Sequence, residues 1–464
     1  MDNPNDIENL VKALELSFSE GTAIPYMEEE EVLSVLDYYI GQDNLEHLTR
    51  IMDIGLEQHP GSSTILLYKA NYLANDNKLS EAQSILDYLL PLEPSNPYVY
   101  IGYGWLNIMK NDEMAAFSFF DKAISLGEGV NLYFEIGQSL NQNGYPDMAL
   151  RYLEDYKSKI WEDEFVFLEL GYAYEALGRI EKSIKMYEQS LKIYPYFEKA
   201  WYHLGNLYNK KNKLAKALNA YKTAICVSPD FPDPYYDLAK FYVKIGKYRL
   251  ALDSFLDYAS FQTDFSSTLL QHIGYCLEQL GENDLAIRYL QAAINKDPDN
   301  ADSYYVFSAF LISIGRAAEG IEAIEKAIKI NPEDADYYFS MAHGYIVLED
   351  YEKAEKSLKK GIKKNPNEVL AWIELFKIKA NHNQFNIKLF MIDNKARYGF
   401  NNVALKYLEA YIEFYYYDNV FAARQCLKSA VLIDSSHLED LLEEAQEMLM
   451  HPDINPIIKK YIKI

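Results

Sequence analysis

The sequence predicts an all-α solenoid, in which pairs of helices stack on one another along the chain. Three observations favour this fold. A pattern of residue types recurs about every 34 residues, which is typical of a helical repeat. The chain of 464 residues is longer than one hydrophobic core usually supports. Its hydrophobic fraction of 49% supplies apolar surface that a single repeat could bury only against its neighbours.

The repeat is clearest in residues 198–231. Positions 4, 7, 8 and 11 of this segment share one face of a first helix, and positions 20, 24 and 27 share one face of a second, because a helix has about 3.6 residues per turn. A proline at position 32 cannot continue the second helix and begins the turn into the next repeat. Counted from Glu198, these positions hold Trp201, Leu204, Gly205, Tyr208, Ala217, Tyr221, Ala224 and Pro229.

Small residues recur where the two helices of a repeat should meet. Twelve segments of the chain fit this repeat pattern. Position 20 is Ala, Ser or Gly in ten of them, which is far more often than average composition would give. Small side chains let two helices approach closely, while the aromatic residues at positions 4, 11 and 24 fill the space beside the contact.

This pattern resembles the tetratricopeptide repeat (TPR), in which Trp-x2-Leu-Gly-x2-Tyr is followed by Ala-x3-Phe, Ala and Pro; here Tyr221 takes the place of the Phe. The resemblance covers nearly the whole chain, in about twelve repeats. It implies a right-handed superhelix of helix-turn-helix repeats, an α-α superhelix, whose first helices line a concave surface. It also implies that positions 2, 5, 9 and 12 of each repeat face a binding groove.

The repeats lie between two capping segments. We expect a capping helix in residues 1–28, followed by seven repeats in residues 29–266 that start at residues 29, 63, 97, 130, 164, 198 and 232. Three repeats occupy residues 267–368 and start at residues 267, 301 and 335. Residues 369–403 form a degenerate repeat, residues 404–437 a further repeat, and residues 438–464 the C-terminal capping helices.

The degenerate repeat lacks the small residues that the repeat pattern has where the two helices meet. Phe376 and Lys388 stand where small residues are usual, and no proline closes the repeat. We therefore expect a bend or hinge within residues 376–403.

The groove implied by the resemblance provides the candidate site. Its aromatic residues are interleaved with amides, which suits an extended peptide, since amides pair with the peptide backbone while rings supply contact area. The alternative is that these rings pack against the first helix of the neighbouring repeat. The candidate groove residues are Trp105, Phe134, Gln138, Asn141, Tyr172, Tyr202, Asn206, Asn209, Tyr236, Lys240, Tyr275 and Tyr305.

No pattern in the sequence indicates catalysis. Some TPR proteins grip a C-terminal carboxylate with Lys, Asn and Arg in successive repeats, but Asn206 is accompanied by Tyr202 where that clamp needs Lys. The eight histidines lack metal-ligand spacing, and the three cysteines are far apart in the chain. We predict no enzyme activity, no catalytic residue, no metal site and no cofactor.

The charge favours a protein partner. The net charge is -24, and half of it lies in residues 1–60, so the surface repels phosphate backbones and suits a basic peptide or protein face. The acidic start lacks the features of a secretory signal, and no apolar run is long enough to span a membrane. We therefore predict a cytoplasmic protein that binds neither nucleic acid nor membrane.

The function predicted from these features is a non-catalytic interaction scaffold or adaptor that holds an extended peptide or a partner helix in the concave groove. The alternative is a regulatory or substrate-presenting subunit of a separate enzyme chain. Binding of RNA by the helical repeats is disfavoured by the charge. Homo-oligomerisation is left open, and the sequence does not identify the partner.

Overall fold

A computed structural model of the chain describes residues 4–42, 44–127, 129–160, 162–381, 385–438, 441 and 444–461. The chain divides into two compact units, Met1–Ser228 (unit 1) and Pro229–Ile464 (unit 2). The described residues form helices joined by short turns, and no strand is found among them. Within each unit, the predicted all-α solenoid of helix-turn-helix repeats is confirmed.

Unit 1 consists of a single helix followed by pairs of helices. Each pair begins at a repeat start or one residue after it, and packs on the pair that follows it in the unit. The helices are α1 (Pro4–Glu20), α2 (Glu29–Gly41), α3 (Leu45–Gln58), α4 (Ser63–Asn75), α5 (Leu79–Leu92), α6 (Pro97–Met109), α7 (Glu113–Leu126), α8 (Asn131–Gln142), α9 (Pro146–Lys159), α10 (Glu164–Ala176), α11 (Ile180–Ile193), α12 (Glu198–Lys210) and α13 (Leu214–Val227).

Unit 2 continues the same pattern and ends in two short helices. Residues 1–3 of the N-terminal capping segment and residues 439, 440, 442, 443 and 462–464 of the C-terminal one lie outside the described residues. The helices are α14 (Asp233–Lys244), α15 (Tyr248–Ser260), α16 (Ser267–Gln279), α17 (Asn283–Lys296), α18 (Ala301–Ser313), α19 (Ala317–Ile330), α20 (Ala335–Val347), α21 (Tyr351–Lys364), α22 (Val369–Ala380), α23 (Ile387–Tyr398), α24 (Val403–Tyr415), α25 (Val420–Ile433), α26 (Gln446–Met450) and α27 (Asn455–Tyr461).

Glycine at position 8 accepts the large side chain at position 24 of the same repeat. A Cβ on Gly171 would lie 2.2 Å from Cε1 of Tyr187, and one on Gly205 would lie 2.7 Å from Cε1 of Tyr221. Both rings are fully buried. The first and second helices of a repeat therefore meet at a ring-on-backbone contact that a side chain at position 8 would obstruct.

In five repeats, the aromatic residue at position 4 forms a hydrogen bond to the end of the preceding repeat. Its hydroxyl or indole N–H donates to the carbonyl of the proline six residues earlier, in the turn that follows the preceding helix. This hydrogen bond recurs at Tyr100 to Pro94 (3.0 Å), Trp201 to Pro195 (2.8 Å), Tyr235 to Pro229 (3.0 Å), Tyr338 to Pro332 (3.2 Å) and Trp372 to Pro366 (2.9 Å).

The degenerate repeat packs differently from the others. Phe376 on α22 is fully buried, and its ring lies 6.3 Å from that of Phe390 on α23. Two rings therefore lie between α22 and α23, whereas in most other repeats small residues allow the two helices a closer approach. Helix α22 packs mainly on α21 and α24. Leu389 and Ile392 on α23 are exposed. The bend predicted for this segment stays a prediction.

Candidate binding groove

A groove of about 690 Å³ lies on the first helices of three successive repeats in unit 1, α8, α10 and α12. Residues three, four or seven apart share a helix face, which is why each helix contributes more than one side chain. The lining residues are Gln138, Asn141 and Gln142 on α8, Phe165, Leu168, Glu169 and Tyr172 on α10, Glu198, Lys199 and His203 on α12, and Tyr194 and Phe197 just before α12.

The polar end of the groove is a carboxylate held by two amides. Glu169 is only 5% exposed. Nε2 of Gln138 donates to its Oε1 at 3.0 Å, and Nδ2 of Asn141 donates to its Oε2 at 2.9 Å and to its backbone oxygen at 2.8 Å. Oδ1 of Asn141 is buried and has no hydrogen-bond partner among the described residues. This end of the groove therefore presents hydrogen-bond acceptors.

A ring cluster supports the α12 side of the groove. The ring of His203 lies 4.7 Å from that of Tyr172 and stacks on Tyr187 at 5.4 Å. Oε2 of Glu175 accepts from the Tyr187 hydroxyl at 2.8 Å and lies 3.2 Å from Nδ1 of His203. Burial alone would raise the pKa of Glu175, but the hydrogen bonds from His203 and Tyr187 hold it below its ordinary value. Burial also raises the pKa of Tyr172, so its hydroxyl stays protonated.

The apolar end of the groove is aromatic and open. Phe165 is 51% exposed although its ring packs edge-on against the buried ring of Phe197 at 5.2 Å. The exposed ring of Tyr194 lies 6.1 Å from Phe197 on the other side. An exposed aromatic rim beside a polar floor offers contact area for an apolar side chain.

The other residues predicted in unit 1 lie outside this lining. Trp105 packs on Phe120 and Phe134 packs on Tyr156, with ring centroids 6.0 and 5.4 Å apart, so each of these contacts is with the second helix of the same repeat and not with the first helix of a neighbouring one. The following three residues are half-buried on α12: Tyr202 contacts the ring of His203 at 5.1 Å, Asn206 accepts from the Tyr221 hydroxyl at 2.7 Å, and Asn209 lies one turn further on.

Three of the residues predicted in unit 2 contact near neighbours. Tyr236 packs on Phe255 at 5.6 Å, and Nζ of Lys240 lies 5.3 Å from the centre of the Tyr236 ring and 3.4 Å from Oδ1 of Asp237. Tyr275 is partly exposed, and its ring lies 6.0 Å from that of Tyr248.

The fourth, Tyr305, lines a second groove of about 490 Å³ on α18, α20 and α22. Phe339 and His343 on α20 face the same groove. The structure thus brings Gln138, Asn141 and Tyr172 together in unit 1 and places Tyr305 in a separate groove within unit 2.

The structure adds residues that sequence reasoning missed. Glu169 occupies position 6, which the resemblance does not assign to the groove, and Tyr194 and Phe197 lie at the end of the repeat from residue 164, just before α12. An acidic residue within an otherwise apolar and aromatic helix face was the one signal that could have identified Glu169.

Neither a metal cluster nor a membrane-spanning helix is found in the part of the chain that the structure describes. No group of three or more His, Cys, Asp and Glu side chains there could hold a metal ion. No described helix is both long and apolar enough to cross a membrane.

Comparisons with known proteins give one consistent family. Models of the tetratricopeptide repeat match residues 166–197, 205–246, 277–343 and 335–368. Among curated proteins, no significant sequence match is found.

Several solved structures are similar to parts of the chain. YrrB, described as a TPR protein with an unusual peptide-binding site, is 24% identical, with 40% of this chain and 95% of that chain covered and a TM-score of 0.34. A tetratricopeptide repeat protein from Parabacteroides merdae is 18% identical over 55% of this chain and 100% of that chain, with a TM-score of 0.42. The APC/C hetero-tetramer Cut9-Hcn1 is 14% identical over 75% and 76%, with a TM-score of 0.40.

Proposed function

Because the chain is a tetratricopeptide repeat protein, we propose that it is a non-catalytic interaction scaffold that holds an extended segment of a partner protein in the groove on α8, α10 and α12. TPR proteins bind other proteins or peptides. The proposal assigns that binding to one surface of unit 1.

The observation that carries the proposal is the convergence of different chemistries in one groove. First helices of three successive repeats contribute amides, two carboxylates and the exposed ring of Phe165, and the segment before α12 adds the exposed ring of Tyr194. Binding sites generally combine apolar walls with a few well-placed polar groups, and the volume of about 690 Å³ falls in the usual range of about 300–1,000 Å³. A short stretch of extended peptide fits that space.

The exposed ring of Phe165 provides the sharpest test. A Phe buries on the order of 200 Å² when covered, so a partner that covers the half of Phe165 now exposed would remove roughly 100 Å² from water. At about 25 cal/mol per Å² this contributes roughly 2 kcal/mol, or more than about tenfold in affinity.

The experiment selects random peptides on the immobilised full chain and measures their affinity by calorimetry. We expect Phe165→Ala to weaken the selected peptides about tenfold or more. The matched control is Tyr88→Ala, which removes a similarly exposed ring (58%) from the second helix α5 and should leave the affinity unchanged. Equal affinity for wild type and Phe165→Ala would contradict the proposal.

A further inference from the structure

Glu169 on α10 is a buried carboxylate at the edge of the groove. We infer that the α8–α10 end of the groove is a subsite for a cationic side chain, Lys or Arg, of the bound segment. This inference rests on the proposed function and specifies the chemistry of the partner.

The burial of Glu169 is the first argument. A carboxylate removed from water is destabilised unless hydrogen bonds or a counter-ion compensate it. Its two oxygens each accept one amide hydrogen bond, from Gln138 and Asn141. Among the described residues, no Lys, Arg or His forms an ion pair with Glu169. The carboxylate is thus held in place by neutral donors alone, and it lines the groove in which the segment would bind.

The orientation of Asn141 is the second argument. Its amide nitrogen faces two acceptors, the carboxylate and the backbone oxygen of Glu169, so an amide oxygen in that place would oppose both. Oδ1 must therefore point the other way, where it is buried without a partner among the described residues. A buried acceptor without a donor is rare in folded proteins. Ammonium and guanidinium groups carry several N–H donors, so a cation bound beside Glu169 brings donors to an end of the groove whose described side chains leave one acceptor without a partner.

The distribution of charge along the groove fixes the end at which the cation binds. On α12, two repeats away from α8, Lys199 lines the groove next to Glu198 and offsets its charge, whereas Glu169 lines the groove among described residues of α8 and α10 that include no Lys or Arg. The exposed rings of Phe165 and Tyr194 leave room for an apolar side chain beside the basic one.

The test uses peptides selected from a random display library on the full chain. We expect Lys or Arg to be enriched at one position of the selected peptides. Replacing that residue by norleucine, or by Nε-acetyl-lysine, should weaken binding to the wild-type chain about tenfold or more, as removal of one partner of a close charge pair does. On Glu169→Gln the same peptide change should cost less than about twofold.

Two charge-matched variants serve as controls. Glu81→Gln on α5 removes an exposed carboxylate outside the groove and should keep the full tenfold discrimination. Glu198→Gln removes the other carboxylate of the groove. Loss of discrimination in Glu198→Gln, with Glu169→Gln behaving as wild type, would overturn the inference.

The comparison of lysine with acetyl-lysine on the wild-type chain remains decisive even if Glu169→Gln does not fold. Equal affinity of the two peptides would overturn the inference, as would selected peptides without any basic preference, while the proposed groove would stand. If no selected peptide depends on Phe165, the proposed function fails and the inference fails with it.

Discussion

Gly171 on α10 faces the ring of Tyr187 on α11, and its replacement by alanine tests the packing that defines the repeat. The added Cβ would lie 2.2 Å from Cε1 and 2.5 Å from Cδ1 of Tyr187. Carbon atoms pack at about 3.5–4.0 Å, so the ring must move by more than about 1 Å. Tyr187 is fully buried and its hydroxyl is bonded to Glu175 at 2.8 Å, which restricts that movement.

The expected magnitude follows from two opposing effects. Overpacking of a buried contact costs about 1–3 kcal/mol, whereas alanine gains up to about 1 kcal/mol over glycine in a helix. We therefore expect Gly171→Ala to lower the free energy of unfolding by about 1–2 kcal/mol. Gly41, on α2, is the matched control because a Cβ there would meet no atom within 4 Å. Gly41→Ala should leave the stability unchanged or raise it.

Urea denaturation followed by circular dichroism measures both variants. A Gly171→Ala chain as stable as the wild type would refute the packing argument. A Gly41→Ala chain destabilised to the same degree as Gly171→Ala would show that any alanine in a first helix has this effect, and would refute it equally.

Three further predictions concern single side chains. Trp372→Ala removes a ring that is 1% exposed and should cost about 3–5 kcal/mol in urea denaturation, more than Trp201→Ala, whose ring is only half-buried; equal losses would contradict this. Burial lowers the pKa of His272, so the stability of unit 2 should fall as the pH drops below 6.5, by at most about 1.4 kcal/mol per pH unit, and His272→Gln should flatten that dependence. The pKa of Glu175 is lowered, so its contribution is present above pH 4.5 and lost below it; Glu175→Gln should make acid unfolding, measured by circular dichroism, less steep there.

The helix pairs could be predicted because their causes are local. A 3.6-residue period, small residues at the helix contact and a closing proline act within one repeat and recur along the chain. Gly171 and Gly205 have the role that the pattern predicts for position 8, next to the rings of Tyr187 and Tyr221.

The contacts of the groove-facing side chains could not be predicted, because they depend on residues of neighbouring helices. Asn206 and Trp105 both occupy positions that the repeat pattern assigns to the groove. Asn206 nevertheless accepts a hydrogen bond from the Tyr221 hydroxyl, and Trp105 packs against Phe120. Trp201 is half-buried, whereas Trp372, which makes the same hydrogen bond to a proline carbonyl, is fully buried. Periodicity assigns a residue to a helix face but not to the partner it meets across that face.

Site-specific photocrosslinking tests the proposed groove most directly. A photoreactive phenylalanine replaces Phe165 in one chain and Tyr88 in a control chain, and each is irradiated with the same display-selected peptide. Both positions are about half exposed on unit 1, so they differ in place rather than in access. The proposed groove requires a crosslinked peptide at position 165 and none above background at position 88. Crosslinking at position 88 with equal or higher yield would contradict it.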